Sequence, residues 1–237
     1  MSEVTVDVLQ DRQELVERAA SDVVSVLVGR LSNQNEVHLA ITGGTVGTEV
    51  LESLSGKTKD MNLQNLHIWW IDERFVENSS IERNEFQARQ VWLDEAEIPV
   101  ENIHAFPSSE VGSIQQAADA FAIEIEEIQP DFDLVLLGMG EDGHIASIFP
   151  GSNPIAIGDW ILIEKNSPKP PTERLSLSMK AINSAKEVLF TVSGVEKADA
   201  VGQVLGGESN LPAALVEAKS KTTWLIDSQA ASKITSS

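Results

Sequence analysis

The chain has 237 residues, of which 37 are acidic and 17 are basic, and it contains no cysteine. The lack of cysteine excludes disulfides, thiolate zinc sites and cysteine nucleophiles. The net charge of -20, without any basic cluster, argues against a nucleic-acid partner. No apolar run is long enough to cross a membrane, and the first residues lack the features of a secretory signal, so we expect a cytoplasmic protein without a membrane partner.

Strands and helices alternate along the sequence. Strand-like runs occur at residues 4–9, 37–41, 66–71, 103–106, 133–137, 160–163, 174–178, 186–192 and 222–226. Helical spacing of apolar residues occurs at 10–31, 49–54, 81–93, 113–128 and 196–205, with a short helix from 212. This alternation predicts an α/β fold with a single doubly wound, mostly parallel sheet flanked by helices, Rossmann-like in type. We expect residues 1–237 to form one catalytic domain, because the candidate motifs are spread over the chain.

The second predicted strand runs into the sequence Thr42-Gly43-Gly44-Thr45, and a helix follows. A glycine turn between a strand and a helix presents free backbone N–H groups, and the helix N-terminus adds about half a positive charge. The Gly-Lys-Ser/Thr ending of a P-loop is missing. Two interpretations stay open here, a phosphate-binding loop and a plain βα turn capped by Thr45.

Three charged residues, Asp72, Glu73 and Arg74, follow the buried strand predicted at 66–71. One interpretation is a surface ion-pair cluster, which would contribute little to stability. The other is an arginine that is held by the neighbouring acids and directed at an anion, because a guanidinium meets phosphate or carboxylate through two parallel hydrogen bonds.

The stretch 133–152 combines a buried strand, a glycine-rich turn and two reactive side chains. Glycines at 138, 140 and 143 match the dinucleotide-binding spacing, but Pro150 leaves room for barely two turns of helix after them. Asp142 would also place a negative charge against a pyrophosphate, so a nucleotide site is disfavoured. Ligands of open α/β sheets bind beyond the carboxyl ends of strands, and Asp142 and His144 at such a position therefore predict a catalytic site.

Taken together, these motifs resemble those of the 6-phosphogluconolactonase family in both content and order. The matching blocks are Thr-Gly-Gly-Thr (42–45), Asp-Glu-Arg (72–74), Gly-x-Gly-x-Asp-Gly-His-x-Ala-Ser-x-Phe-Pro (138–150), Pro-x-x-x-Arg-Leu-Ser-Leu-Ser (170–178) and Gly-x-x-Lys-Ala (194–198). The resemblance implies hydrolysis of 6-phospho-D-glucono-1,5-lactone to 6-phosphogluconate in the oxidative pentose phosphate pathway. It implies no metal and no organic cofactor.

The resemblance also implies roles for particular residues. His144 matches the base that activates a water molecule, and Asp142 belongs to the same site, where it could orient the imidazole. The implied substrate-binding residues, which would hold the phosphate or the developing oxyanion or lie beside them, are Gly43, Gly44, Thr45, Asp72, Arg74, Arg174 and Lys197. Arg83-Asn84 departs from the usual Ser-Asn of the family, and Arg83 could bring a further cation to the site.

Three alternatives compete with a lactonase. A glucosamine-6-phosphate deaminase shares the fold and the glycine-histidine block, but it has an acid after the histidine where this chain has residues 147–150, Ser-Ile-Phe-Pro. A non-catalytic sugar-phosphate-binding protein would not need His144 and Asp142. A metal site is disfavoured because His38, His67 and His104 are scattered, and we expect His38 and His67 to be core or strand histidines.

Overall fold

The computed structural model describes residues 2–207 and 209–234. The helices are α1 (Arg12–Leu31), α2 (Gly44–Thr58), α3 (Asn84–Ala88), α4 (Ile114–Ile128), α5 (Met179–Asn183) and α6 (Ala198–Leu205). The strands are β1 (Glu3–Leu9), β2 (Val37–Ile41), β3 (Leu66–Trp70), β4 (Asp72–Arg74), β5 (Ile103–His104), β6 (Leu134–Leu137), β7 (Ile155–Ile157), β8 (Ile161–Glu164), β9 (Arg174–Leu177), β10 (Glu187–Val192) and β11 (Lys221–Asp227). Across these ranges no helix is long and apolar enough to cross a bilayer.

Seven strands form one parallel sheet in the order β1-β11-β10-β6-β2-β3-β5. Every residue of β2 and β6 is buried, as expected for central parallel strands that are covered on both faces. From β2 the chain proceeds outward through β3 to β5, and from β6 it proceeds the other way through β10 to β11. The sheet therefore confirms the predicted α/β fold, and its switch point lies between β2 and β6.

The amphipathic pattern of α1 accounts for its packing. Asp11 caps the helix, and its Oδ1 atom accepts a hydrogen bond of 2.9 Å from the backbone N–H of Glu14. The buried positions of the helix recur every three to four residues and are Leu15, Ala19, Ala20, Val23 and Leu27. This stripe covers the sheet, and the first turn of α1 lies beyond the carboxyl end of β1.

A second, smaller sheet was not predicted. Strands β4, β9, β8 and β7 pair antiparallel in that order, whereas the sequence pattern predicted a single sheet. The chain leaves the main sheet at Ile71 and joins β9 at once, so that Arg74 lies directly opposite Arg174. Alternation within β9 indicates a strand but does not say which sheet it joins, and its partner β4 has only three residues.

The start of α3 differs from the prediction for a local reason. The helix predicted at 81–93 begins at Asn84 and continues as a π-helical turn at Arg89–Leu93. The buried carboxylate of Glu73 accepts the backbone N–H groups of Asn84 and Glu85, each at 2.8 Å, and thereby fixes the start of α3. The helix predicted at 196–205 opens with a 3-10 turn at Val195–Lys197 before α6.

Candidate active site

A cleft of about 430 Å³ opens at the carboxyl ends of the parallel strands, around the switch point between β2 and β6. Its walls come from the loops that follow β2, β6 and β10 and from the two strands β4 and β9 of the small sheet. The predicted site residues that line it are Gly43, Gly44, Thr45, Asp72, Arg74, His144, Arg174 and Lys197. Asp142 lies behind them, against His144. Motifs that are far apart in the sequence therefore meet in one place.

The glycine loop after β2 leads directly into the N-terminus of α2. Gly43 is the N-cap, and among the described residues no side chain bonds to the first backbone N–H groups of the helix. Thr45 is exposed within the first turn and does not cap the helix. A Cβ atom at Gly43 would come within 1.9 Å of Asn84 Oδ1, and Gly44 has a φ angle of 79°, so both positions require glycine. The geometry fits a phosphate-binding loop better than a capped turn.

The turn after β6 presents the ring of His144 to the cleft. The backbone N–H of Gly140 donates to the carbonyl of His144 at 2.9 Å, which closes the turn. A Cβ atom at Gly140 would lie 2.0 Å from His144 Nδ1, so only glycine lets the ring pack against this backbone. No helix follows Gly143 directly, since the chain forms a short bridge between Ile145 and Ile148. The expectation that these glycines are not a dinucleotide fingerprint is consistent with this geometry.

Asp142 and His144 form a close pair. Asp142 Oδ1 lies 2.5 Å from His144 Nδ1 and also accepts the backbone N–H of His144 at 3.2 Å. Burial would raise the pKa of Asp142, but the hydrogen bond and charge of His144 outweigh it and lower that pKa below its ordinary value. An ionised carboxylate against Nδ1 keeps the ring proton on that nitrogen, which leaves Nε2 able to accept a proton.

Two arginines of the small sheet face each other across the cleft wall. Arg74 and Arg174 are directly paired between β4 and β9, and both line the cleft. Burial lowers the pKa of Arg174, Asp72 raises it, and the charge of Arg74 lowers it further. Like charges at directly opposed positions are destabilising, and a bound anion would relieve their repulsion.

The interpretation in which neighbouring acids hold Arg74 is wrong. Its Nη1 atom donates to the carbonyl of Glu82, and its buried Nε atom has no partner among the described residues. The acids beside it bind elsewhere, because Glu73 accepts backbone N–H groups of α3 and of Arg74 itself. Burial raises the pKa of Glu73 to about 7, against the lowering effects of Arg83 and of these N–H groups.

Asp72 lies at the wall of the cleft, but its carboxylate is already occupied by protein groups. It accepts the hydroxyl of Ser147 at 2.7 Å and the amide of Asn84 at 3.3 Å, and it lies 3.8 Å from Arg174 Nη1. Ser147 belongs to the turn that carries His144. Asp72 therefore joins the His144 turn to the small sheet, a contact that the sequence could not indicate.

Further cations complete the cleft. Lys197 ends the 3-10 turn before α6, and burial lowers its pKa. Arg12 at the start of α1 and Lys169 in the loop between β8 and β9 also line the cleft, and neither was predicted from the sequence. A signal existed for Arg12, because it follows the carboxyl end of β1. Among the described residues, five basic side chains line the cleft, against two acidic ones, Asp72 and Glu196.

Arg83 does not belong to this group, so the suggestion that it brings a further cation to the site is wrong. Its side chain is 1% exposed and donates to Glu85 Oε2 and to the carbonyl of Phe106, each at 2.7 Å. An acid two residues along the chain holds the guanidinium in the interior, away from the cleft.

The remaining histidines lie on the strands. Buried His38 accepts a hydrogen bond from Trp69 Nε1 at 3.1 Å, and His67 contacts His104 at 3.0 Å. These contacts agree with the expected core and strand roles of His38 and His67. Within residues 2–207 and 209–234 no group of three or more His, Asp or Glu side chains is arranged to hold a metal ion.

The switch-point sheet and the excess of cations at its edge define the class of this protein, an α/β protein with a cationic cleft beside an acid–imidazole pair. Comparison with known proteins gives the family. A model described as glucosamine-6-phosphate isomerases/6-phosphogluconolactonase matches residues 10–224, and the chain belongs to this family.

Individual relatives match over nearly their whole length. A 6-phosphogluconolactonase of Mycobacterium leprae is 34% identical and covers 97% of this chain and 98% of its own. A 6-phosphogluconolactonase of Synechocystis is 33% identical, with 95% and 96% covered. The crystal structure of 6-phosphogluconolactonase from Thermotoga maritima superimposes with a TM-score of 0.85 at 28% identity, covering 95% of this chain and all of that one.

Proposed function

We propose that this chain hydrolyses 6-phospho-D-glucono-1,5-lactone to 6-phosphogluconate. It does so as one cytoplasmic catalytic domain of the oxidative pentose phosphate pathway, without a metal ion or an organic cofactor. Relatives named 6-phosphogluconolactonase that match over almost the full chain support the proposal. The observation that carries it is the Asp142–His144 pair, which lies in a cleft where basic residues outnumber acidic ones.

The phosphate of the substrate binds at the N-terminus of α2. Gly43, Gly44 and Thr45 offer backbone N–H groups and one hydroxyl, and the helix adds its positive end. Arg74 and Lys197 supply full charges to the phosphate or to the developing oxyanion, and Arg174 supports them from the opposite strand. A dianion would neutralise cations that otherwise repel one another.

The reaction needs one base and no covalent intermediate. His144 Nε2 takes a proton from a water molecule while the water oxygen attacks the lactone carbonyl carbon. Asp142 stabilises the imidazolium that forms. The C1–O5 bond then breaks, the ring oxygen takes the proton back from Nε2, and the products are a carboxylic acid, which ionises, and a free hydroxyl. General base catalysis of this kind contributes about 10²–10⁴ in rate.

A deaminase is a weaker proposal for this cleft. Removal of an amine from a ring-opened sugar needs more acid–base groups than ester hydrolysis does. Ser147, close after His144, is fully buried and donates to Asp72, so it adds no acid to the site. A sugar-phosphate-binding protein without activity would have no use for the Asp142–His144 contact.

A coupled assay tests the proposal. Glucose-6-phosphate dehydrogenase generates the lactone, and its loss is followed with and without this protein in the presence of EDTA. We expect wild-type protein to accelerate the loss and His144→Asn to abolish the acceleration. The same preparations are offered glucosamine-6-phosphate, and release of ammonia is measured.

The outcomes separate the candidates. No acceleration of lactone loss, or equal acceleration by His144→Asn, would overturn the proposed function. Ammonia release from glucosamine-6-phosphate would favour the deaminase. Binding of 6-phosphogluconate without turnover would favour a sugar-phosphate-binding protein, and loss of activity in EDTA would overturn the metal-independent mechanism.

A further inference from the structure

Arg12 is a cation of the cleft that belongs to none of the lactonase motifs. It is the first residue of α1, it lines the cleft, and its Nε atom lies 3.0 Å from Glu49 Oε2 on α2. We propose that Arg12 binds the phosphate of the substrate from the outer side of the glycine loop and so selects phosphorylated over unphosphorylated lactones. This inference rests on the proposed function and deepens it.

The position of Glu49 places Arg12 beside the phosphate loop. Glu49 comes four residues after Thr45 in α2, so the two side chains lie on the same face of the helix, one turn apart. Side chains of a helix lean toward its N-terminus, so Glu49 holds the guanidinium of Arg12 on the Thr45 side.

A substrate phosphate can replace Glu49 as the partner of Arg12. Their side chains are 45% and 37% exposed, and ion pairs with this exposure contribute little to stability. A phosphate dianion carries more charge than one carboxylate and accepts two parallel hydrogen bonds from a guanidinium. Arg12 can therefore pass from Glu49 to the substrate at little energetic cost.

The helix itself gives no reason for an arginine at this position. The first turn of a helix favours acidic residues, and a cation there opposes the helix dipole. Asp11 at the N-cap and Glu14 in the first turn follow the rule, whereas Arg12 does not. A residue that breaks a local rule without a structural benefit marks a functional position.

Arg12→Gln tests the proposal, and Arg18→Gln is its matched control. Arg18 lies on the same helix with a side-chain exposure of 44%, and it pairs with Asp7 and Asp22 away from the cleft. We expect Arg12→Gln to raise KM for 6-phosphogluconolactone about five- to tenfold with little change in kcat, because uniform binding is lost. Turnover of unphosphorylated glucono-1,5-lactone should not change. Arg18→Gln should match wild type on both substrates.

Removal of Glu49 separates direct binding from mere screening. If Arg12 only masks the charge of Glu49, the double variant Arg12→Gln/Glu49→Gln will recover the wild-type KM, and the proposal fails. If Arg12 touches the phosphate, the double variant will stay impaired and Glu49→Gln alone will bind the substrate as well as wild type or better.

A binding measurement distinguishes failure of this inference from failure of the proposed function. Calorimetry with 6-phosphogluconate and with gluconate should give a five- to tenfold weaker Kd in Arg12→Gln for the phosphorylated compound alone. Equal affinities in wild type and variant would overturn the role of Arg12. An inactive wild-type protein that binds 6-phosphogluconate through Arg12 would overturn the lactonase activity and support this inference.

Discussion

Replacement of Asp142 by asparagine removes the negative charge beside His144 and keeps the size of the side chain. Unit charges about 4 Å apart interact by about 4 kcal/mol at an effective dielectric constant of about 20, and by about 1 kcal/mol in bulk water. The Asp142 side chain is 40% exposed and that of His144 is 20% exposed, so screening places the interaction between these limits. The variant should therefore lose about 2 kcal/mol of stabilisation of the imidazolium. A loss of that size lowers kcat about 30-fold.

The amide of the variant adds a second effect. If its NH₂ group turns toward Nδ1, the ring proton moves to Nε2, and the nitrogen that faces the cleft can no longer accept a proton. The loss in kcat should therefore be about 30-fold or more.

The coupled lactone assay measures kcat and KM across pH for Asp142→Asn and for the control Glu141→Gln. Glu141 is the adjacent acid, and its carboxylate pairs with Lys169 at 3.3 Å and makes no hydrogen bond to His144 among the described residues. A fall of less than about threefold in kcat, with wild-type thermal stability, would refute the role of Asp142. A similar fall in Glu141→Gln would show that the effect is not specific to the contact.

Three further predictions concern the base, the opposed arginines and the buried histidines. His144→Asn should lower kcat by a factor of about 10²–10⁴ with an unchanged circular dichroism spectrum, and a near-wild-type kcat would contradict the general-base role of His144. Arg74→Met should raise KM for the phosphorylated lactone and leave Tm unchanged or slightly higher, because one of two like charges is removed; an unchanged kcat/KM contradicts this. Burial and the charge of His67 lower the pKa of His38 to about 4, so stability is complete above pH ~6.5 and falls by at most about 3 kcal/mol as the pH drops from ~6.5 to about 4. His38→Gln keeps an acceptor for Trp69 and should reduce the pH dependence of the unfolding free energy, measured in urea between pH 4 and 7. An unchanged pH dependence would contradict the role of His38.

The main sheet could be predicted because its signals are local. Four consecutive apolar residues in β6, followed by glycines, are typical of a buried parallel strand, and the structure has a central strand there. The small sheet could not be predicted, because β4 pairs with β9 about a hundred residues later and each has only three or four residues. Short strands of this kind are defined by their partners more than by their own sequence.

The position of the candidate site could be predicted because its motif is local in sequence, whereas the long-range contacts within the site could not. Asp142 and His144 lie in the turn after a recognisable strand, so their common position could be predicted, whereas the sequence did not show their contact at 2.5 Å. The contact between Ser147 and Asp72 joins positions 75 residues apart, and nothing in the local sequence indicates it. Arg83 was misjudged because a charged residue in a loop-like stretch gives no sign that Glu85 holds it in the interior.

Because the chain is strongly acidic, a cleft cation without a carboxylate partner is unusual. With 37 acidic and 17 basic residues, each cation has on average about two acids available, and most of the cations are paired. Arg74 and Lys197 are partly buried in the cleft, yet neither has a carboxylate oxygen within 4.0 Å among the described residues. In a protein with so many acids, a partly buried cation remains unpaired where the fold keeps carboxylates away from it. The antiparallel pairing of β4 with β9 does this for Arg74, since it sets another arginine opposite and binds the nearby acids to backbone and hydroxyl groups. The small sheet thus stabilises a charge arrangement that is unfavourable alone and favourable once an anion enters.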